Sequence, residues 1–279
     1  MNYFIDQDGI YRPHSPVYHR DDEYEQTGFD VLWEMQKKHF WYRGRHRFLL
    51  AALDRTLPFG SPHRTCADLG GGVGGWMSYL INHRSNMFSK MALADSSVTA
   101  LRMAGSILPN WVERYQIDLM NLCWHDKWDC IFLLDVIEHL PDDKQALRQA
   151  MHALKPGGYL FITAPALKKF WSYNDELVHH LRRYERQDFI NIAQNLGLQL
   201  CEARYFMFLL SPLYWLARKG IDINHMNEEE KALLIKKTHK VPPRFLNSTL
   251  SAVFAAETPL GHLLHFPWGT SILGVLRKP

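Results

Sequence analysis

Asp68, Gly70, Gly72, Gly74, Asp95, Asp118 and Asp135 carry the chemistry most open to a ligand, and each closes or follows a short stretch that reads as a strand. Thr65-Cys66-Ala67-Asp68-Leu69 leads into Gly70-Gly71-Gly72-Val73-Gly74-Gly75, and Trp76, Met77, Tyr79 and Leu80 follow at helical spacing. A strand, a glycine turn and a helix in that order let a ligand approach the main chain closely. The helix start adds free N–H groups and a positive dipole end. Together they predict a cradle for a nucleotide-like ligand at the carboxyl end of a strand. Met91-Ala92-Leu93-Ala94 ends at Asp95, 20 residues past Gly75. An acid there can accept two hydrogen bonds from a ribose diol, and it can also cap the helix expected over 96–107. Asp118-Leu119, after a short strand over 114–117, offers either a partner for an adenine amino group or a turn aspartate. Cys130–Leu134 runs into Asp135-Val136-Ile137-Glu138-His139.

These residues need elements to hold them. A continuous apolar run such as 130–134 suits a parallel strand buried on both faces. Pro141–Leu154 reads as a helix, stopped by Lys155-Pro156-Gly157-Gly158, and Tyr159–Thr163 as a fifth strand leading to Ala164-Pro165. Five strands alternating with helices predict an α/β, doubly wound sheet with the acids at its ligand-facing edge. Upstream, 1–27 reads as a loosely packed polar arm and Phe29–Leu53 as one helix. That helix is either a packing element with solvated arginines at 43, 45 and 47, or a lid placing Trp41 or an arginine over a ligand's carboxylate end. Leu57–Pro62 breaks the chain before the core.

Downstream, 170–185 is dense in polar and aromatic groups. Tyr173, Asn174, Asp175, Arg182, Arg183 and Tyr184 can line a pocket for a second substrate, with Arg183 suited to a carboxylate or phosphate. His139, His179 and His180 are candidate bases; His139 also reads as a helix-start or core histidine, and the pair as solvated loop residues. A helix over 186–196, a strand over 198–205 and a last strand over 269–276 bracket an insertion containing helices at 228–240 and 245–256. The expected division is 1–60 arm and helical cap, 61–205 core, 206–268 helical insertion and 269–279 last core strand.

The formal charge of +3 is too small to imply nucleic acid by itself. Four cysteines without CxxC spacing read as reduced residues of a cytoplasmic protein, and no metal is expected from any ligand spacing. The N-terminus does not read as a signal peptide, and no run reaches the roughly 18–20 apolar residues of a membrane span. Residues 205–244, apolar then basic, can rest on the inner face of an anionic membrane, cover a pocket or form a homodimer surface.

The combined pattern resembles the class I S-adenosylmethionine-dependent methyltransferases, in a bacterial small-molecule branch of the type 11/12/23 kind. The resemblance rests on Asp68–Gly74, Asp95, Asp118, Leu134–Leu140 and Leu154–Gly158, with His39–Arg43 and His180–Tyr184 outside them, and covers roughly 64–200. It implies a Rossmann-like seven-stranded sheet of order 3-2-1-4-5-7-6 with the last strand antiparallel. It also implies S-adenosylmethionine as donor, S-adenosylhomocysteine as product, and an acceptor that is a small molecule or lipid-linked. Donor contacts are expected from Asp68, Gly70, Gly72, Gly74, Asp95, Ser96, Asp118, Leu119, Asp135 and Val136. Acceptor contacts are expected from Trp41, Tyr173, Asn174, Arg183 and Tyr184. Gly71 is a departure, since many members of the family have a different residue there, such as cysteine; the change is expected to matter little. Gly70-x-Gly72-x-x-Gly75 also fits a nicotinamide dinucleotide fold, but Asp68 would repel a pyrophosphate there. The Asn/Asp-Pro-Pro-aromatic segment of base-amine methylating enzymes is absent at 135–138, which argues against nucleic acid. A non-catalytic S-adenosylmethionine-binding regulator, a decarboxylase or a cyclase would share the donor features.

Overall fold

The computed structural model describes residues 3–17, 26–57 and 64–279. The expected break at 58–62 and the boundary at residue 60 lie outside the described residues. The elements are, in order, β1 (Tyr3–Ile5), β2 (Ile10–Pro13), α1 (Gln26–Lys38), α2 (Phe40–Thr56), β3 (Thr65–Leu69) and α3 (Gly75–Arg84). Next come β4 (Lys90–Asp95), α4 (Val98–Ile107), β5 (Glu113–Gln116), β6 (Trp128–Leu134), α5 (Asp143–Ala153) and β7 (Leu154–Pro165). The chain ends with α6 (Tyr173–Leu177), α7 (Arg186–Leu196), β8 (Gln199–Phe206), α8 (Ser211–Arg218), α9 (Glu228–Thr238), α10 (Arg244–Leu263) and β9 (Ser271–Arg277).

Among the described residues the strands form one sheet of order β1-β2-β5-β4-β3-β6-β7-β9-β8, nine strands rather than the expected seven. The two additional strands come from the arm, of which 3–13 is therefore packed against the sheet rather than loose. β1 and β2 form an antiparallel hairpin, and β2 pairs parallel with β5. Ile10 is fully buried and Tyr11 stacks on Tyr115 with ring centroids 4.5 Å apart. The seven strands from β3 onward run 3-2-1-4-5-7-6 when counted alone, with β9 antiparallel to both neighbours.

The sheet separates two cores because successive side chains leave opposite faces. Cys130 and Phe132 join Met91, Leu93 and Phe161 beneath α2, α3 and α10. Ile131 and Leu133 join Leu160 and Ile162 beneath α5 and α7. Burial on both faces is why these strands read as unbroken apolar runs.

The expected single helix over 29–53 is two helices. His39 caps α2, its Nδ1 accepting the Trp41 N–H at 3.1 Å. Asn247 of α10 closes the gap, accepting the Phe40 N–H at 2.9 Å and donating to the Lys38 carbonyl at 2.9 Å. α2 and α10 lie close at Gly44, where a Cβ would stand 2.0 Å from a Phe254 ring carbon. The cap and the insertion thus pack together over one edge of the core. α10 also runs past the expected end at 256, through Pro259.

Candidate active site

The glycine turn is held against β4. Gly70 and Gly71 N–H groups donate to the Ala94 carbonyl at 2.7 and 3.3 Å, and the Gly72 N–H to Asp95 Oδ2 at 2.8 Å. Asp95 Oδ1 accepts the Ser97 N–H at 2.8 Å. These amides already have partners, so they form no open nest for a pyrophosphate. Gly70 has φ of 72°, and a Cβ there would lie 2.7 Å from Val136. Gly71 is not indifferent to substitution, contrary to expectation. A Cβ would lie 2.4 Å from Leu93 Cδ1 and 2.5 Å from Asp68 Oδ2.

Asp68 is 1% exposed, and its Oδ1 has no hydrogen-bond partner among the described residues. Burial lifts its carboxyl to about 7; Arg45 opposes the rise and Asp95 adds to it. Arg45 projects from α2, buried, into an ion pair with Asp135, and its Cζ sits 5.2 Å from the Trp41 and Tyr42 ring centroids. Its Nε–H lacks a partner among the described residues. An unmatched carboxylate oxygen and an unmatched guanidinium N–H in one cleft wall suit a zwitterionic amino-acid group: ammonium to Asp68, carboxylate to Arg45. Of the three interleaved arginines the sequence offered, this geometry singles out Arg45.

The cleft spans about 2120 Å³. Drug-sized pockets run about 300–1,000 Å³, so it has room for a nucleoside and a second ligand of at least that size. Gly70, Gly72, Asp95, Ser96, Asp118, Leu119, Asp135 and Val136 line one part of it. Gly74 does not line it, being the left-handed N-cap of α3. Asp118 Oδ1 accepts the Met120 N–H at 2.8 Å. Trp41, His139, Asn174, His179 and His180 line the other part, under Tyr214, Arg218, Lys231 and Lys236 of α8 and α9. The first half of the insertion therefore covers the cleft.

Segment 135–140 forms the floor between the two parts. Asp135 leaves β6 with φ of 57°, a strained backbone for an aspartate. Glu138 follows in a single 3₁₀ turn, its carbonyl accepting the Leu181 N–H at 2.8 Å. Its side chain is fully buried, and neither carboxylate oxygen has a hydrogen-bond partner among the described residues. Burial, then the Asp135 charge, pushes its carboxyl well above the usual range. The His139 and His180 rings meet edge to face at 4.8 Å. His180 Nδ1 lies 2.9 Å from Asp175 Oδ1, and its Nε2 lies 3.8 Å from Glu138 Oε1. His179, with φ of 57°, is exposed at the rim.

Two expected acceptor residues lie outside the cleft lining, and a third reaches it only as a buried clamp. Arg183, proposed for an acceptor anion, touches the cleft, but its side chain is only 2% exposed and clamps Asp175 through Nε at 2.8 Å and Nη2 at 3.0 Å. Tyr184 is buried away from the cleft, donating to Asp143 at 2.6 Å; burial and that bond raise its hydroxyl. Tyr173 is buried with Leu177 and Ile223 beneath the insertion. Asp175 is likewise a buried anchor: burial would raise it, but the bonds from His180 and Arg183 prevail and hold it at about 2. Arg45 and Glu138 both lie in stretches whose pattern stands out in the sequence, but nothing in their spacing marks their roles.

A family profile described as a methyltransferase domain matches residues 40–203. No curated protein matches the chain by sequence. Among solved structures, a Haemonchus contortus phosphoethanolamine N-methyltransferase 2 bound to S-adenosyl-L-methionine superposes with a TM-score of 0.59 at 18% identity, covering 96% of this chain and 62% of that one. A chain of the Haloferax volcanii complex pairing the Trm112 methyltransferase activator with a protein called a methyltransferase gives 0.59 at 14%, covering 94% and 99%. A Streptomyces coelicolor geranyl diphosphate C-methyltransferase gives 0.53 at 11%, covering 83% and 78%. At these identities the structural likeness concerns the fold.

Proposed function

The chain belongs to the class I S-adenosylmethionine-dependent methyltransferases, and from that premise we propose that it methylates an O, N or C atom of a small molecule or of a lipid- or sugar-linked biosynthetic intermediate. S-adenosylmethionine supplies a methyl group already activated on a sulfonium. Asp68 and Arg45 grip the donor's amino-acid end, and Asp95 with Ser96 grips its ribose. Asp118 and Leu119 flank the base, while Asp135 and Val136 form the floor beneath. Trp41 and Asn174 bound the acceptor side. His139, His179 or His180 takes a proton where the acceptor has one to lose. The rest of the catalysis is placement in line with the departing sulfur.

The observation that carries this reading is the single cleft running from the glycine turn to α9, with unmatched Asp68 and Arg45 atoms at its donor end. The basic side chains Arg218, Lys231 and Lys236 at the other end favour an anionic acceptor. The test is transfer of labelled methyl from the donor to a panel of phosphorylated, carboxylated and lipid-linked acceptors. Label appearing in an anionic acceptor supports the reading. Donor bound tightly without transfer to any acceptor, in the panel or in cell extract, supports a non-catalytic binding protein instead.

A membrane-resting mode is favoured by one specific surface. On α8, Leu213, Trp215 and Leu216 are exposed, and Arg218 and Lys219 follow them. No helix among the described residues is long and apolar enough to cross a membrane. Flotation with anionic vesicles tests peripheral contact, and failure to co-float removes it. A cytoplasmic location and a homodimer remain part of the proposal, checked by fractionation and by light scattering.

A further inference from the structure

The donor and acceptor contacts leave Glu138 unexplained. A carboxylate that is fully buried with both oxygens unmatched is costly to keep. Its neighbours are two imidazoles brought in from a distant part of the sequence and from the next residue. Glu138, His139 and His180 each offer one donor atom, and these atoms lie within 4.8 Å of one another. The His180 ring is oriented from behind: Nδ1 meets Asp175 at 2.9 Å, and Arg183 locks Asp175 with two bonds. With Nδ1 donating to that carboxylate, Nε2 presents a lone pair toward Glu138 Oε1, 3.8 Å away. Two acceptors then face each other across a gap too long for a hydrogen bond. A metal ion with bonds of about 2.1 Å bridges atoms up to about 4.2 Å apart. The His139 donor atom lies within 4.8 Å of the other two, close to that range. A carboxylate behind the histidine is the usual outer support of a metal ligand.

We propose that Glu138, His139 and His180 bind a divalent first-row cation in the floor of the cleft, with its remaining positions open to an acceptor oxygen. Two imidazoles and one carboxylate suit Mn²⁺, Fe²⁺, Co²⁺ or Zn²⁺, and three protein ligands leave room for substrate. The inference rests on the methyltransferase reading and narrows its acceptor to one with a hydroxyl. The cation lowers the hydroxyl pKa. With His139 and His180 held as ligands, neither ring takes the proton, which passes to solvent; the oxygen lone pair forms the new O–CH₃ bond, and the S–CH₃ bond breaks to leave a neutral thioether. One proton is released per methyl moved. Residue spacing alone conceals this site because 138 and 180 meet only through the fold.

The test is titration of chelator-treated protein with Co²⁺ alone, read by its visible absorption and by calorimetry, with donor binding measured on the same samples. The expected result is one equivalent bound in wild type. Glu138→Gln and His180→Asn should each weaken it by about 10–100-fold or more, while S-adenosylmethionine affinity holds and so reports an intact fold. Asp175→Asn, a positioning change, should weaken it less than His180→Asn. Wild type binding no Co²⁺, or all variants binding it equally through other histidines, overturns the metal site and leaves the methyltransferase reading standing. Loss of donor binding in wild type would instead overturn the methyltransferase reading.

Discussion

The two halves of the cleft are built in opposite ways. The half proposed to hold the donor comes from consecutive strand ends: Asp68 and the glycine turn after β3, Asp95 after β4, Asp118 after β5, Asp135 after β6. Each residue is positioned by its own strand, so its place follows from local pattern. The half proposed to hold the acceptor is assembled from α2, the 3₁₀ turn at 137–139, the 174–183 segment and the insertion helices. There a residue's role depends on which distant side chain it meets, as Arg183 meets Asp175. A parallel sheet fixes the position of a strand end before any packing contact is known, whereas a lid exists only once the chain has folded.

That contrast can be broken by substitution. The largest effect is expected at the acceptor half's anchor. Arg183→Ala strands buried Asp175 and should cost about 3–5 kcal/mol, seen as a large fall in melting temperature rather than a selective rise in acceptor KM. A selective KM effect at unchanged stability would return Arg183 to acceptor binding. Next, Asp95→Ala should weaken donor binding about 100-fold by calorimetry, since hydrogen bonds to charged groups contribute about 1.5–3 kcal/mol each. Its effect on stability should be smaller than that of Arg183→Ala.

Gly71→Cys sharpens the donor side. Forcing a side chain between Leu93 and Asp68 should cost about 1–3 kcal/mol of stability, measurable by denaturant midpoint, and should weaken the donor as well. Unchanged midpoint and affinity would mean the turn relaxes freely.

The pH dependence of donor binding follows from Asp68. Its carboxyl, lifted to about 7 by burial, must be ionised to hold an ammonium. Donor affinity should therefore rise roughly fivefold to tenfold between pH 6 and 7.5, and Asp68→Asn should flatten the profile. In the ligand-free protein the sign reverses. A raised carboxyl gives stability that is fully present below its unfolded value and is lost as pH rises through about 7. The smallest effect is expected at Lys236→Ala, an exposed cation over the acceptor end. A two- to fivefold rise in KM for an anionic acceptor, with kcat unchanged, matches about 0.2–1 kcal/mol.

The sheet was legible where both faces are buried: 91–94 in β4, 130–134 in β6 and 159–162 in β7 are apolar runs because α helices cover each side, whereas the start of β7, Leu154–Gly158, read as a helix end and its stop. The hairpin of β1 and β2 was not, since strands of three and four residues carry too little alternation to stand out from a polar arm. The break at His39 was hidden because helical spacing continues across it, and the groups that satisfy the gap come from Asn247. Glu138 could be seen in the sequence but not interpreted. Its burial against His139 and His180 depends on the 174–183 segment folding back over the end of β6.

The most direct test is calorimetry of the intact protein with S-adenosylmethionine and with a nicotinamide dinucleotide, repeated on Asp68→Asn and Arg45→Met. One-to-one binding of the sulfonium compound, weakened in both variants and with no nicotinamide heat, is the predicted result. Equal donor affinity in wild type and both variants, or nicotinamide binding in its place, would contradict an amino-acid grip at Asp68 and Arg45.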